Sequence, residues 1–193
     1  MFNKPFQDAE MQVRCFVFVL LVGFALPLTE AAADSRSYTP IAKFALAEGH
    51  PFPLDALRDP QGRPLEVSTL TGKPLLINFY TLRCAPCIKE VPKLNQVQRR
   101  QPGIRVLAIT ADSGDEARAY VKQHGLQWPV AADASRLLYE ELNQKAFPAF
   151  ALLDAQGRLV STVQANQLGG EDGHATVQGI EQWLNAQLKK TQP

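Results

Sequence analysis

The stretch from Ile77 to Pro92 constrains this chain more than any other, because an apolar run suited to a buried strand leads directly into two cysteines spaced Cys84-Ala85-Pro86-Cys87. Such spacing suits reversible disulfide chemistry. Cys84 falls where a helix should begin, and the unpaired N–H groups and positive dipole end of a helix favour a thiolate over a thiol. That makes Cys84 the expected nucleophile. Cys87 lies on the same helical face one turn deeper, where it can resolve a mixed disulfide without large backbone movement. Half a zinc site is a competing reading of this spacing. A structural zinc takes four ligands, however, and the chain has no second CxxC or Cys/His pair. A purely structural disulfide is the other alternative, but closing so short a loop removes little chain entropy.

The run into the cysteines, the Cys-x-Pro-Cys spacing and a proline five residues after the second cysteine together resemble the thioredoxin superfamily. Within it, Cys84, Cys87, Glu90 and Pro92 in the pattern CxxCxxExP resemble the TlpA/ResA-like periplasmic thiol-disulfide oxidoreductases, and the likeness extends from about Phe44 to Gln187. The resemblance implies an α/β, thioredoxin-like fold: a mixed central β-sheet flanked by helices, with an N-terminal β-hairpin and an inserted αβ unit. It also implies a cis Phe147-Pro148 bond facing the cysteines. Proline there cannot ligate metal, which keeps the pair free for redox work, and the exposed backbone of Phe147 can pair with an extended substrate segment. A proline merely starting a strand would be trans.

Several positions depart from the family's habits. Arg83 stands where a tryptophan usually precedes the first cysteine, and its guanidinium either favours the Cys84 thiolate or snorkels into solvent. Phe147 and Ala149 replace a smaller residue and a threonine, so docking preference does not carry over. Asn78, six residues before Cys84, replaces the buried acid that helps move protons for the second cysteine. Glu90, three residues after Cys87, resembles the carboxylate that takes over in this branch. It is expected to be buried, against the alternative of a surface glutamate paired with Lys89 or Lys93. His50, His124 and His174 are scattered and receive no role.

The implied activity is exchange of disulfides with protein substrates, needing no bound cofactor or metal. The Cys-x-Pro-Cys form suggests a reductant kept reduced by a membrane electron-transfer partner of the DsbD/CcdA type, acting as a monomer. Two other functions remain open. Thr81-Leu82-Arg83-Cys84 matches half of the peroxiredoxin motif, although Ile77 stands where its proline should be, so a thiol peroxidase is one alternative. A copper-delivering Sco-like protein is the other, although that family uses CxxxC with a distant histidine.

With 193 residues, 46% of them hydrophobic, the chain has room for one domain with a real core plus short extensions. Its net charge of +1 offers no nucleic-acid footprint. Residues 1–33 read as an address: Arg14 precedes an unbroken apolar run from Cys15 to Leu28, and Ala31-Ala32-Ala33 fits an A-x-A cleavage site. The run is short for a span of about 20 residues, so a cleaved signal peptide is expected, with an uncleaved inner-membrane anchor as the alternative. Met11 makes a more ordinary start than Met1 for such a segment. Cleavage would remove Cys15 and leave Cys84 and Cys87 as the sole pair in an oxidising compartment, the periplasm, which points to chemistry rather than scaffolding.

Residues 34–43 read as a tether and 44–191 as the thioredoxin-like domain. Asp59-Pro60-Gln61-Gly62-Arg63 marks a hairpin turn within Phe52 to Leu70, and Asp154-Ala155-Gln156-Gly157-Arg158 marks a second between strands Ala149 to Leu153 and Leu159 to Val163. Further strands are expected at Pro74 to Tyr80, Ile104 to Thr110 and Gln127 to Val130. Helices are expected at Ala85 to Arg100, kinked by Pro92, at Asp115 to His124 stopped by Gly125, at Ser135 to Leu142 and at Ala175 to Lys190. In the last, Ile180, Trp183, Leu184 and Leu188 form the inward stripe.

Overall fold

A computed structural model of the chain describes residues 43–169 and 174–190. The expected leader over 1–33, including Cys15, and all but the last residue of the tether lie outside these residues. In chain order the main elements are α1 (Val67–Leu70), β1 (Leu75–Tyr80), α2 (Ala85–Arg100), β2 (Arg105–Thr110) and α3 (Gly114–His124). There follow β3 (Val130–Ala131), β4 (Ala149–Leu153), β5 (Leu159–Gln164) and α4 (Val177–Lys190).

Every residue of β1 is buried, which is what a continuous apolar run demands when both faces of a strand are covered. The sheet order is β3-β2-β1-β4-β5, so this strand sits at its centre. It runs parallel to β2, with Tyr80 against Thr110, and antiparallel to β4, with Phe79 against Ala149. The sheet is therefore mixed. Strand alternation divides the core into two layers. Leu76 and Tyr80, with Val106, Ala108, Phe150 and Leu152, face α2, α3 and α4. Leu75, Ile77 and Phe79 face a second layer built from Phe52, Leu54, Leu57, Leu70, Leu138 and Leu142. Each fully buried leucine here contributes about 1.5–3 kcal/mol, and together these layers fix the end of β1 that delivers the cysteines.

Helix α2 covers the expected span and continues through Pro92, whose missing N–H leaves the Ile88 carbonyl without its helical donor. Helix α3 opens with a capping box between Ser113 and Glu116 and stops at Gly125, which adopts the left-handed conformation at φ 68°. The parallel β2-α3-β3 unit matches the expected insertion, although β3 is displaced to Val130–Ala131. Pro129 cannot donate into the ladder, and its carbonyl instead accepts the Ala108 N–H at 2.9 Å. The helix expected over 135–142 is wound as a π-turn at Leu137–Glu141, closed by Leu142 N–H on the Leu137 carbonyl. This wider turn buries Leu137, Leu138 and Leu142 together.

The N-terminal hairpin is shorter than its turn sequence suggests. Asp59 does close a turn, its Oδ1 accepting from the Gln61 and Arg63 amides at 2.9 Å, but the flanks make one bridge, Arg58 to Pro64, and then enter α1. Asp154 builds the same turn, with Gln156 and Arg158 as donors, and there β4 and β5 pair along their length. Identical turn chemistry gives different outcomes because Pro51, Pro53, Pro60 and Pro64 lack ladder donors in the first case, whereas β-branched and apolar residues flank the second. In α4, Ile180 and Leu184 are fully buried, while Trp183 and Leu188 are half-buried at the edge of the stripe.

Candidate redox site

Cys84 is the N-cap of α2, in extended conformation at φ −104°, and Pro86 occupies the first turn. Proline is tolerated there because the first-turn N–H groups have no helical partner to lose. The Cys84 Sγ accepts the Cys87 N–H at 3.2 Å and is bonded to the Cys87 sulfur, with the two Cα atoms 5.2 Å apart. Exposure separates the two cysteines. Cys87 is only 3% exposed, and Cys84 is half-buried at the surface of the helix end. Once the bond is reduced, the amide that now reaches Cys84 would stabilise a thiolate there.

Glu90 is 1% exposed on the inner face of α2, beside Cys87, Val91 and Leu94. Burial pushes its carboxyl up to about 7, against an opposing pull from the Ala175 amide and the Lys93 ammonium. Burial outweighs that pull, since neither carboxyl oxygen has a partner within hydrogen-bonding geometry, and the Lys93 ammonium donates to the Ala175 carbonyl at 2.6 Å. The expected burial of Glu90 is thus observed. Asn78 is also buried, on the sheet face beneath α2, and its Nδ2 has no partner.

The Phe147-Pro148 bond is cis, and the Pro148 carbonyl accepts the Ala165 N–H at 3.1 Å. Pro86 of the cysteine motif and Pro148 line one cleft of about 220 Å³ together with Glu90, Phe147, Asn166 and His174. The chain thus brings Cys84, Cys87, Glu90, Phe147 and Pro148 to one place from α2 and the approach to β4. Arg83 does not line that cleft. It is exposed, and its charge is felt by Glu116 on α3, whose carboxyl is held low chiefly by Ser113.

Sequence reasoning missed three features. His174 lines the cleft and approaches Lys89 at 3.4 Å, Asn166 reaches it from the turn after β5, and Tyr139 stands 40% exposed with its ring edge-on to Phe147. Each is a single polar or aromatic residue outside any motif, brought to the cleft or to Phe147 by long-range packing. Among the described residues no three His, Cys, Asp or Glu side chains converge to hold a metal ion, and no helix is long and apolar enough to cross a membrane.

A disulfide capping a helix on a thioredoxin-like sheet, with a cis-proline across a shared cleft, defines a thiol-disulfide exchange protein. Comparison with known proteins agrees. The chain belongs to the AhpC/TSA family, whose model matches residues 48–164, and it is a thiol-disulfide oxidoreductase. It is 30% identical over 122 residues to the thiol-disulfide oxidoreductase ResA of Bacillus thuringiensis (strain Al Hakam), covering 62% of this chain and 70% of that one. ResA of Bacillus subtilis (strain 168) is 29% identical over 124 residues, covering 63% and 69%. Among solved structures, a secreted Mycobacterium tuberculosis disulfide oxidoreductase homologous to E. coli DsbE superposes with a TM-score of 0.52 at 23% identity, covering 69% of this chain and 93% of that one.

Proposed function

We propose that this protein is an exported reductant of protein disulfides, working in the periplasm through Cys84 as nucleophile and Cys87 as resolving thiol. The unequal exposure of the two sulfurs carries the reading, since a protein substrate can reach Cys84 and not the buried Cys87. In the reduced protein the Cys84 thiolate attacks one substrate sulfur, breaking the substrate disulfide and releasing one substrate thiolate, which takes up a proton. Cys87 then loses its proton and attacks the Cys84 sulfur, forming the intramolecular disulfide and releasing the second substrate thiol. The substrate gains two electrons and the pair loses two.

Glu90 is the base for the second step, because a carboxyl poised near 7 beside the cleft accepts a proton most effectively at neutral pH. Pro148 and the Phe147 backbone receive the substrate chain alongside Cys84. Arg83 acts from the exposed side, as a modest electrostatic aid to the thiolate. The leader-like segment over 1–33 supports export, and a membrane electron-transfer partner of the DsbD/CcdA type would return the pair to its reduced state.

Trapping tests this directly. Cys87→Ser should accumulate mixed disulfides with substrate proteins through Cys84, and Cys84→Ser should accumulate none. Complexes held through Cys87 alone would reverse the two roles. Rapid consumption of peroxide by the pure reduced protein would move the reading to a thiol peroxidase.

A further inference from the structure

Thr110 ends β2 with no exposure at all, an unusual place for a hydroxyl. Its Oγ1 donates to Asp112 Oδ2 at 2.6 Å, and the Asp112 N–H returns a bond to the same hydroxyl at 3.1 Å. That carboxylate oxygen also accepts the N–H of Leu82 at 2.6 Å, thirty residues earlier in the chain and two before Cys84. The Asp112 carbonyl accepts from Asp133 at 2.9 Å, where the chain takes a left-handed turn at φ 53°, and the Thr110 carbonyl accepts from Ala134 at 3.0 Å. One aspartate thus joins the loop before the cysteines, the end of β2 and the segment after β3. The loop itself adds only a longer bond, from the Cys84 N–H to the Thr81 carbonyl at 3.3 Å.

We infer that Asp112 is a positioning residue for the exchange reaction, its carboxylate clamping the Thr81–Arg83 loop so that the Cys84 sulfur stays on the Cys87 N–H at the start of α2. The inference rests on the reading of Cys84 as nucleophile. A carboxylate that acted merely as a nearby charge would disfavour the thiolate, so its removal would speed attack. Loss of a clamp does the opposite, because the sulfur drifts from the amide and helix end that stabilise its anion. The two roles therefore predict opposite signs.

The test is the pH profile of alkylation of the reduced full chain by iodoacetamide, with the labelled cysteine identified by peptide mass. Three variants are compared, Thr110→Val, Asp112→Ala and Asp112→Asn, which leave Arg83, Glu90 and Glu116 around the loop in place. Thr110→Val and Asp112→Ala should raise the midpoint by about half a unit or more, roughly three-fold slower labelling at neutral pH. Asp112→Asn keeps an acceptor for the Leu82 amide and should restore most of the rate. An unchanged or lowered midpoint in folded Thr110→Val and Asp112→Ala overturns the role of Asp112, as does an Asp112→Asn shift as large as that of Asp112→Ala, and Thr110→Val alone decides if Asp112→Ala does not fold. Label on Cys87 in the wild-type chain would instead overturn the assignment of Cys84 and with it the premise of the clamp.

Discussion

Replacing Glu90 by Gln separates the burial of this carboxyl from its chemistry. Its value of about 7, against 4.5 for a free glutamate, is a rise of about 2.5 units, and at about 1.4 kcal/mol per unit the charged form is disfavoured in the fold by on the order of 3 kcal/mol. The sign follows from proton counting. Between these two values the unfolded chain has released the proton and the folded chain still holds it, so stability falls as pH rises through the window and levels off above about 7. A salt-bridged carboxylate would behave in the reverse way. Glutamine carries no such proton, so the stability of Glu90→Gln relative to wild type should increase by up to about 3 kcal/mol between pH 4.5 and pH 8. Any fixed cost of burying the amide cancels in that difference. Urea unfolding of the oxidised protein at the two pH values measures it, and an equal gap at both would refute the raised pKa. Kinetically, stopped-flow mixing with a substrate disulfide should show slower resolution by Cys87 in the variant while attack by Cys84 is less affected. Equal resolution rates across neutral pH would remove Glu90 from the mechanism.

Arg83→Trp should raise the pH at which Cys84 alkylates by a few tenths of a unit, an effect that shrinks in salt because the side chain is exposed. An identical profile at low salt would leave Arg83 as a solvated side chain. Gly114→Ala should destabilise the fold by about 1–3 kcal/mol despite the better helix propensity of alanine. The added methyl would meet the Pro60 carbonyl oxygen, which already accepts from Arg118 where the Asp59–Arg63 turn docks on α3. Denaturant unfolding of the variant checks this, and a gain in stability would show that the turn can move away.

Elements with strong local signals were legible because local physics decides them. Leu75–Tyr80 needed only its apolar run, α2 only the cysteine motif at its start, and α3 only its glycine stop at Gly125. Where a segment's flanks compete with its turn, sequence says less about how far the strands extend. The Asp59 turn is plain in the sequence, yet nothing local reveals that its proline-rich arms pair with each other through one bridge, Arg58 to Pro64, rather than extend as a ladder. The same limit hid Asp112. Its side chain is an ordinary loop aspartate until β2 is laid parallel to β1, and only that register brings it to Leu82.

The acid of the site shows most clearly what sequence can and cannot carry. Asn78 removes a carboxylate from the strand beneath α2, and Glu90 supplies one from α2 itself, so spacing alone suggested the exchange. Spacing cannot say whether the side chain at Glu90 points inward, because a glutamate three residues after Cys87 can equally lean toward Lys93 and water. In the fold the chain segment ahead of α4 lies beside it: Lys93 donates to the Ala175 carbonyl at 2.6 Å, while the Glu90 carboxyl sits buried with no hydrogen-bond partner. The raised pKa comes from burial, and α4 packed on α2 covers that side of the helix. It follows that loosening this contact should lower the carboxyl toward its ordinary value even with Cys84, Cys87 and Glu90 untouched. Ile180→Ala, which empties a fully buried position on α4, should flatten the loss of stability between pH 4.5 and pH 8. A variant that is folded and less stable but keeps the full slope would show that α2 alone holds Glu90 out of water.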